Sequence, residues 1–150
     1  MSNFYQWVSR LLRSIGKRGD HSEFPQLPMP TRNTHTDPAF YQEFVADHYK
    51  ERGDTVWEYS KEKGLEGNQI NLVIKENRTI FLIHTKEESS DITSHDIQNF
   101  EKESDNFLKT HPIFEGYSIQ LLYAMPSLLL DEESYKYIKA NPHIGYKIVK

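Results

Sequence analysis

Residues 67–87, GNQINLVIKENRTIFLIHTKE, constrain the fold more than any other stretch. They read as two strands joined by a tight turn, with polar groups at the outer end of each strand. The first strand carries Ile70, Leu72 and Ile74 on one face and Asn71 and Val73 on the other; the second runs from Thr79 to Ile83. Glu76, Asn77 and Arg78 between them supply turn chemistry, and Asn77 is the residue that best tolerates a positive φ. The second strand ends in His84, Thr85 and Lys86, and a period of two puts His84 and Lys86 on one face. Everything else in the chain either supports this hairpin in flanking layers or tethers it.

The rest of the chain supplies those layers. Asp37 and Pro38 form a helix start in which Asp caps and Pro takes the first helical position. Phe40, Phe44, Val45 and Tyr49 then make an apolar stripe up to Gly53, with Glu43 inside the helix. Thr55–Tyr59 reads as a short strand, and Ser60 to Gly67 as a loop leading into the hairpin. Thr93 caps a helix through Asp96, burying Ile97, Phe100, Phe107 and Leu108 and ending at His111 and Pro112. Ser118–Met125 is a buried strand closed by Pro126, a helix follows from about Asp131 to Ala140, and Ile144–Val149 is a last strand. The predicted class is therefore α/β, a mixed central sheet flanked by helices in the order αβββαβαβ.

Ahead of this domain, residues 1–18 space Phe4, Trp7, Val8, Leu11, Leu12 and Ile15 helically, with Arg10, Arg13, Lys17 and Arg18 alongside. This reads as a basic amphipathic helix that docks on the domain, on a protein partner or on a membrane surface. Residues 19–37 are proline-rich and aperiodic, a tether to the domain at 38–150. The formal charge of −4 excludes a global basic field, so any nucleic-acid contact must come from a local patch. The absence of cysteine removes disulfides, zinc–thiolate sites and cysteine nucleophiles, and fits a cytoplasmic protein. No apolar run approaches the roughly 20 residues of a bilayer span, and none has the form of a signal peptide.

The succession of elements, with a polar pair across the second and third strands, resembles the restriction-endonuclease-like superfamily, the PD-(D/E)xK nucleases, and most closely its Mrr-like branch. The resemblance covers about Phe40 to Val149. In Mrr-like proteins the opening helix carries a glutamate, the first motif strand reads roughly Gly-Asp-Gly-Gly-Ile-Asp-Leu, and the next ends in Gln-x-Lys. The matching residues are Glu43 in YQEFVADHY, Gly67 to Leu72 with Asn71 in the place of the aspartate, and His84, Thr85 and Lys86, of which the lysine is kept.

The resemblance implies DNA as the partner and divalent-metal chemistry, with Mg²⁺ or Mn²⁺ as the cofactor if the site is active. Glu43, Asn71 and His84 would be the metal ligands, and Lys86 the residue on the phosphate side. In such sites the ion binds the scissile phosphate and acidifies its water while the lysine offsets charge. An amide in place of the main acid removes the motif strand's negative charge, and imidazole suits Mn²⁺ or Zn²⁺ better than Mg²⁺. The expectation is thus a nuclease-derived DNA-binding domain with impaired or lost cleavage. Its rivals are an active endonuclease with an altered ligand set and a non-catalytic protein-interaction module; a homodimer is among the assemblies considered. Each polar residue taken singly also reads as a satisfied or solvated group at a sheet end.

Gln98, on the helix after the motif lysine, would face nucleic acid if the resemblance holds, and otherwise is a solvated glutamine. His95 and His111 lack acids at metal-ligand spacing and read as surface residues. Asp131, Glu132 and Glu133 read as a charged first helical turn rather than a catalytic pair.

Overall fold

The computed structural model describes residues 37–65 and 67–150. The expected helix at residues 1–18, and the tether at 19–37 apart from Asp37, lie outside them. The described chain runs α1 (Pro38–Glu51), β1 (Thr55–Trp57), α2 (Tyr59–Lys63), β2 (Leu72–Glu76), β3 (Thr79–Thr85), α3 (Ser94–Thr110), a 3-10 turn (Pro112–Phe114), β4 (Ser118–Met125), α4 (Glu132–Ala140) and β5 (Ile144–Ile148). The strands form one five-stranded sheet in the order β1-β2-β3-β4-β5. The protein is α/β, with a mixed sheet flanked by helices.

Local chemistry accounts for the element ends. The Asp37 carboxylate accepts the Ala39 and Phe40 N–H groups at 3.1 and 3.3 Å, and Pro38 takes the first helical position. Asn77 adopts φ 55° in the two-residue turn set by the Glu76↔Thr79 pairing. Thr93 and Asp96 form a reciprocal capping box, and Asp131 accepts the Ser134 N–H at 2.8 Å behind a first turn carrying Glu132 and Glu133.

β1, β2 and β3 form an antiparallel meander; β3 and β4, then β4 and β5, pair in parallel. Parallel neighbours need long crossovers, and α3 and α4 supply them. Both pack on one face, where Ile97, Phe100 and Phe107 of α3 and Ile138 of α4 meet Val73, Ile80 and Leu82. α1 covers the other face with Tyr41, Val45, Ala46 and Tyr49 against Leu72, Ile74 and Ile83. The apolar stripe of α1 is therefore displaced from the predicted one. Tyr41 and Ala46 are fully buried while Phe40 and Phe44 are only half-buried, and the buried Tyr41 hydroxyl has a partner inside: it donates to Val149 O at 2.8 Å.

Two other expectations change. Residues 59–63 are a helix rather than a loop; Gly64, at φ 66°, closes it in the left-handed conformation, and the Trp57 indole N–H holds Glu62 at 3.0 Å. The hairpin's first strand begins at Leu72, not Ile70, and Ile70 joins the α3 face instead of following Leu72 and Ile74 to the α1 face. The cause lies at Asn71, described below. Among the described residues no helix is long and apolar enough to cross a membrane.

Candidate functional site

The antiparallel-then-parallel sheet gathers the end of β3, the approach to β2 and the connection from β1 to α2 at one edge, since Leu72 pairs with Ile83, Thr85 with Ala124, and Trp57 with Val73. Crevices outside the carboxyl ends of parallel strands are the usual ligand sites of such sheets. A cavity of about 720 Å³ opens here. Glu43, Asn71, His84 and Lys86 all line it, so the fold brings together the four residues singled out from the sequence. Ala39, Gln42 and Glu43 reach it from the first turns of α1, at the i, i+3, i+4 spacing of one helix face.

Asn71 is tied on every side. Its Oδ1 accepts the Thr85 N–H at 2.9 Å and the Thr85 hydroxyl at 3.2 Å, while its Nδ2 donates to Asn68 O at 3.2 Å and Ser60 Oγ at 3.4 Å. The side-chain oxygen stands where a strand carbonyl would continue the ladder. This substitution is why regular β2 starts two residues later than expected, at Leu72, and why Ile70 turns to the opposite face. The donor half of the amide is used as well as the acceptor half, and Asn68 O can only accept.

His84 is half-buried against Phe100 and Tyr123, with ring centroids 5.9 and 5.5 Å away. Its Nδ1 lies 2.7 Å from Gln69 O. A carbonyl only accepts, so Nδ1 carries the proton and Nε2 holds the lone pair of the neutral ring. Burial, reinforced by the Lys86 ammonium, lowers the imidazole pKa against the opposing pull of the Gln69 carbonyl, Glu87 and Asp96. The ring is thereby kept uncharged near neutral pH.

The Lys86 backbone N–H extends the sheet by donating to Ala124 O at 2.8 Å. Its ammonium is held by hydroxyls, Ser89 Oγ at 2.7 Å and Ser90 Oγ at 3.4 Å; Ser89 in turn donates to Glu87 at 3.0 Å. Glu43 is exposed on α1. Its neighbour Gln42 makes the contact toward Asn71: Gln42 Nε2 donates to Ser60 Oγ at 3.0 Å, and Ser60 is shared with the Asn71 amide. Gln42 and Ser60 were not among the residues picked from the sequence. The helical period around Glu43 could have flagged Gln42, whereas Ser60 was hidden in a presumed loop.

The lining also carries Glu58, Glu87 and Lys61. Glu58 is paired with Lys50 at 3.0 Å, with the two side chains 22% and 11% exposed. Gln98 is exposed on α3 and lies outside the lining, as does exposed His95. His111 is not a solvated residue: it stacks on Phe107 at 4.1 Å between ring centroids, and its Nδ1 lies 2.8 Å from Phe107 O, closing α3. Comparison with protein-family models and with curated protein sequences finds no match to the chain.

Proposed function

We propose that residues 38–150 are a restriction-endonuclease-like domain of the Mrr type that binds DNA at this cavity and has little or no phosphodiester cleavage. What supports the reading is convergence: an α1 glutamate, a polar residue ahead of β2 and a lysine after β3 share one cavity at the carboxyl end of parallel strands. The observation that carries the loss of cleavage is the Asn71 amide, whose oxygen already accepts two hydrogen bonds from Thr85. Mg²⁺ demands several oxygen donors in near-octahedral order. Among the described residues no group of three or more His, Asp or Glu side chains is gathered as for a metal ion, and the central donor is neutral. These residues do not fit a resident Mg²⁺. DNA binding would rest on Lys86 and Lys61 meeting the phosphate backbone.

One observation favours residual activity. His84 presents the tautomer in which a backbone carbonyl holds Nδ1 and Nε2 keeps its lone pair, as imidazole ligands of Mn²⁺ or Zn²⁺ commonly do. Cleavage of supercoiled plasmid separates the readings, with Mg²⁺, Mn²⁺ and Zn²⁺ in parallel and with wild type, Lys86→Ala and the double variant Asn71→Asp, His84→Glu. Silence of the wild type with cutting by the double variant supports a decayed nuclease. Nicking by the wild type that Lys86→Ala abolishes supports an active enzyme. Absence of both cleavage and duplex binding would leave a protein-interaction module.

A further inference from the structure

A second cavity, of about 410 Å³, adjoins the first and shares Leu65, Gly67 and Asn68 with it. That size falls within the range of small-ligand pockets, about 300–1,000 Å³. Its interior is apolar and aromatic, with Tyr59, Ile70 and Phe107, and its α3 side is polar, with Glu103, Asn106 and Thr110.

We propose that this cavity receives one unstacked base of the DNA strand whose phosphate lies at Lys86, and that it prefers a base carrying an exocyclic amine. The inference rests on the DNA-binding reading above and names the part of the ligand that would be recognised. The two cavities meet at a ridge where Gly67, which has no side chain, lines both. Its φ of 76° favours glycine, and among the described residues nothing beyond its chain neighbours lies within 4 Å of where a Cβ would stand. A strand crossing Gly67 would place its phosphate on one side and its base on the other.

The receiving surface is preorganised. Tyr59 is held edge-on by Trp57 at 4.9 Å and by Phe107 at 5.0 Å, so its ring is set before any ligand arrives. Aromatic side chains at such sites stack bases without regard to sequence. Discrimination would come from Glu103. Its Oε2 accepts the Gln69 N–H at 2.8 Å, which fixes the carboxylate to the ridge. A carboxylate accepts from an amine such as cytosine N4 and repels a carbonyl such as thymine O4. The same segment then serves both cavities, since Gln69 also holds His84 through its carbonyl.

The test is equilibrium binding, at one fixed salt concentration, of three short duplexes: fully matched, with a central C·C mismatch and with a central T·T mismatch. A mismatched base is already unpaired and so is easier to extrude. Wild type is expected to bind the C·C duplex about tenfold tighter than the T·T duplex. Asn106→Trp, at an exposed α3 position that lines only the second cavity, should fill that cavity and abolish the preference while still binding matched DNA. Equal affinity of the wild type for C·C and T·T duplexes overturns the inference and leaves the DNA-binding reading standing. So does a preference that survives in Asn106→Trp. No binding to any duplex overturns both.

Discussion

Thr85 delivers both its backbone N–H and its hydroxyl to one atom, Asn71 Oδ1, at 2.9 and 3.2 Å. This clasp joins the approach of β2 to the end of β3 where the ladder would otherwise fray. Asn71→Ala leaves a buried Thr85 N–H without its acceptor and should cost about 1–3 kcal/mol in urea denaturation. Asn71→Asp keeps the acceptor but turns a carboxylate oxygen toward Asn68 O, now 3.2 Å from an Nδ2 that donates to it. It should lose a comparable amount without metal and regain part of it with Mn²⁺. An Asn71→Asp variant as stable as wild type in chelator would show that the amide's donor half contributes nothing.

Stability should fall as pH drops below the ordinary histidine range. The His84 pKa is lowered by burial, with Lys86 adding to the shift and Glu87 and Asp96 opposing it. That of His48 on α1 is lowered by burial, Lys147 and Arg52, against Glu51 and Asp54. A histidine with a depressed folded-state pKa binds fewer protons folded than unfolded just below its ordinary value, about 6.5, so stability declines as pH falls through that value. Thermal unfolding between about pH 7.5 and about pH 5.5 should show this slope, and His84→Gln should flatten it in part, His48→Gln the remainder. An unchanged slope in His84→Gln would place His84 in water in the folded state.

Lys86→Ala should weaken duplex binding and lower the slope of log affinity against log salt by about one, the signature of a single lost phosphate contact. Its neighbours are hydroxyls, so removing the ammonium strands no carboxylate within hydrogen-bonding reach among the described residues. Folding stability should therefore change by less than about 0.5 kcal/mol. A variant that keeps wild-type affinity and slope would detach Lys86 from DNA.

The sequence made the sheet legible because its strands are β-branched runs bounded by turn chemistry, with Asn77 marking the hairpin and Pro126 closing β4. Strand period put His84 and Lys86 on one face, the resemblance added Glu43 and Asn71, and the fold shows all four lining one cavity. What was hidden were effects in which a side chain overrides the backbone pattern. Alternation put Ile70 with Leu72 and Ile74, but the Asn71 amide replaces a ladder carbonyl and sends Ile70 to the α3 face. Helix α2 was missed because its five residues, YSKEK, have too short an apolar period to register, and tertiary contacts from Trp57 and Gly64 hold it. The second cavity was equally invisible: it exists only because α3 returns past Tyr59 and Ile70.

Tyr41 shows how a residue on the site's own helix is separated from the site. Its hydroxyl is buried and donates to Val149 O at 2.8 Å, and Val149 N–H donates to Met125 O at 2.8 Å, so the tyrosine pins the chain end beyond β5 to α1. Burial pushes its pKa well above the ordinary tyrosine value, and it stays a donor throughout the working pH range. Tyr41→Phe leaves Val149 O with one partner fewer in an apolar surround and should cost about 1–2 kcal/mol. Because Gln42 and Glu43 lie on the adjoining helical face and Gln42 is anchored separately to Ser60 at 3.0 Å, ligand affinity should not change. Gln42→Ala should behave the opposite way. It removes a half-buried contact at the cavity wall, loses little stability, and loosens the Ser60–Asn71 side of the cavity, so its effect should appear in DNA affinity. If Tyr41→Phe lowers affinity as much as Gln42→Ala does, α1 moves as one body and the wall is not independently fixed.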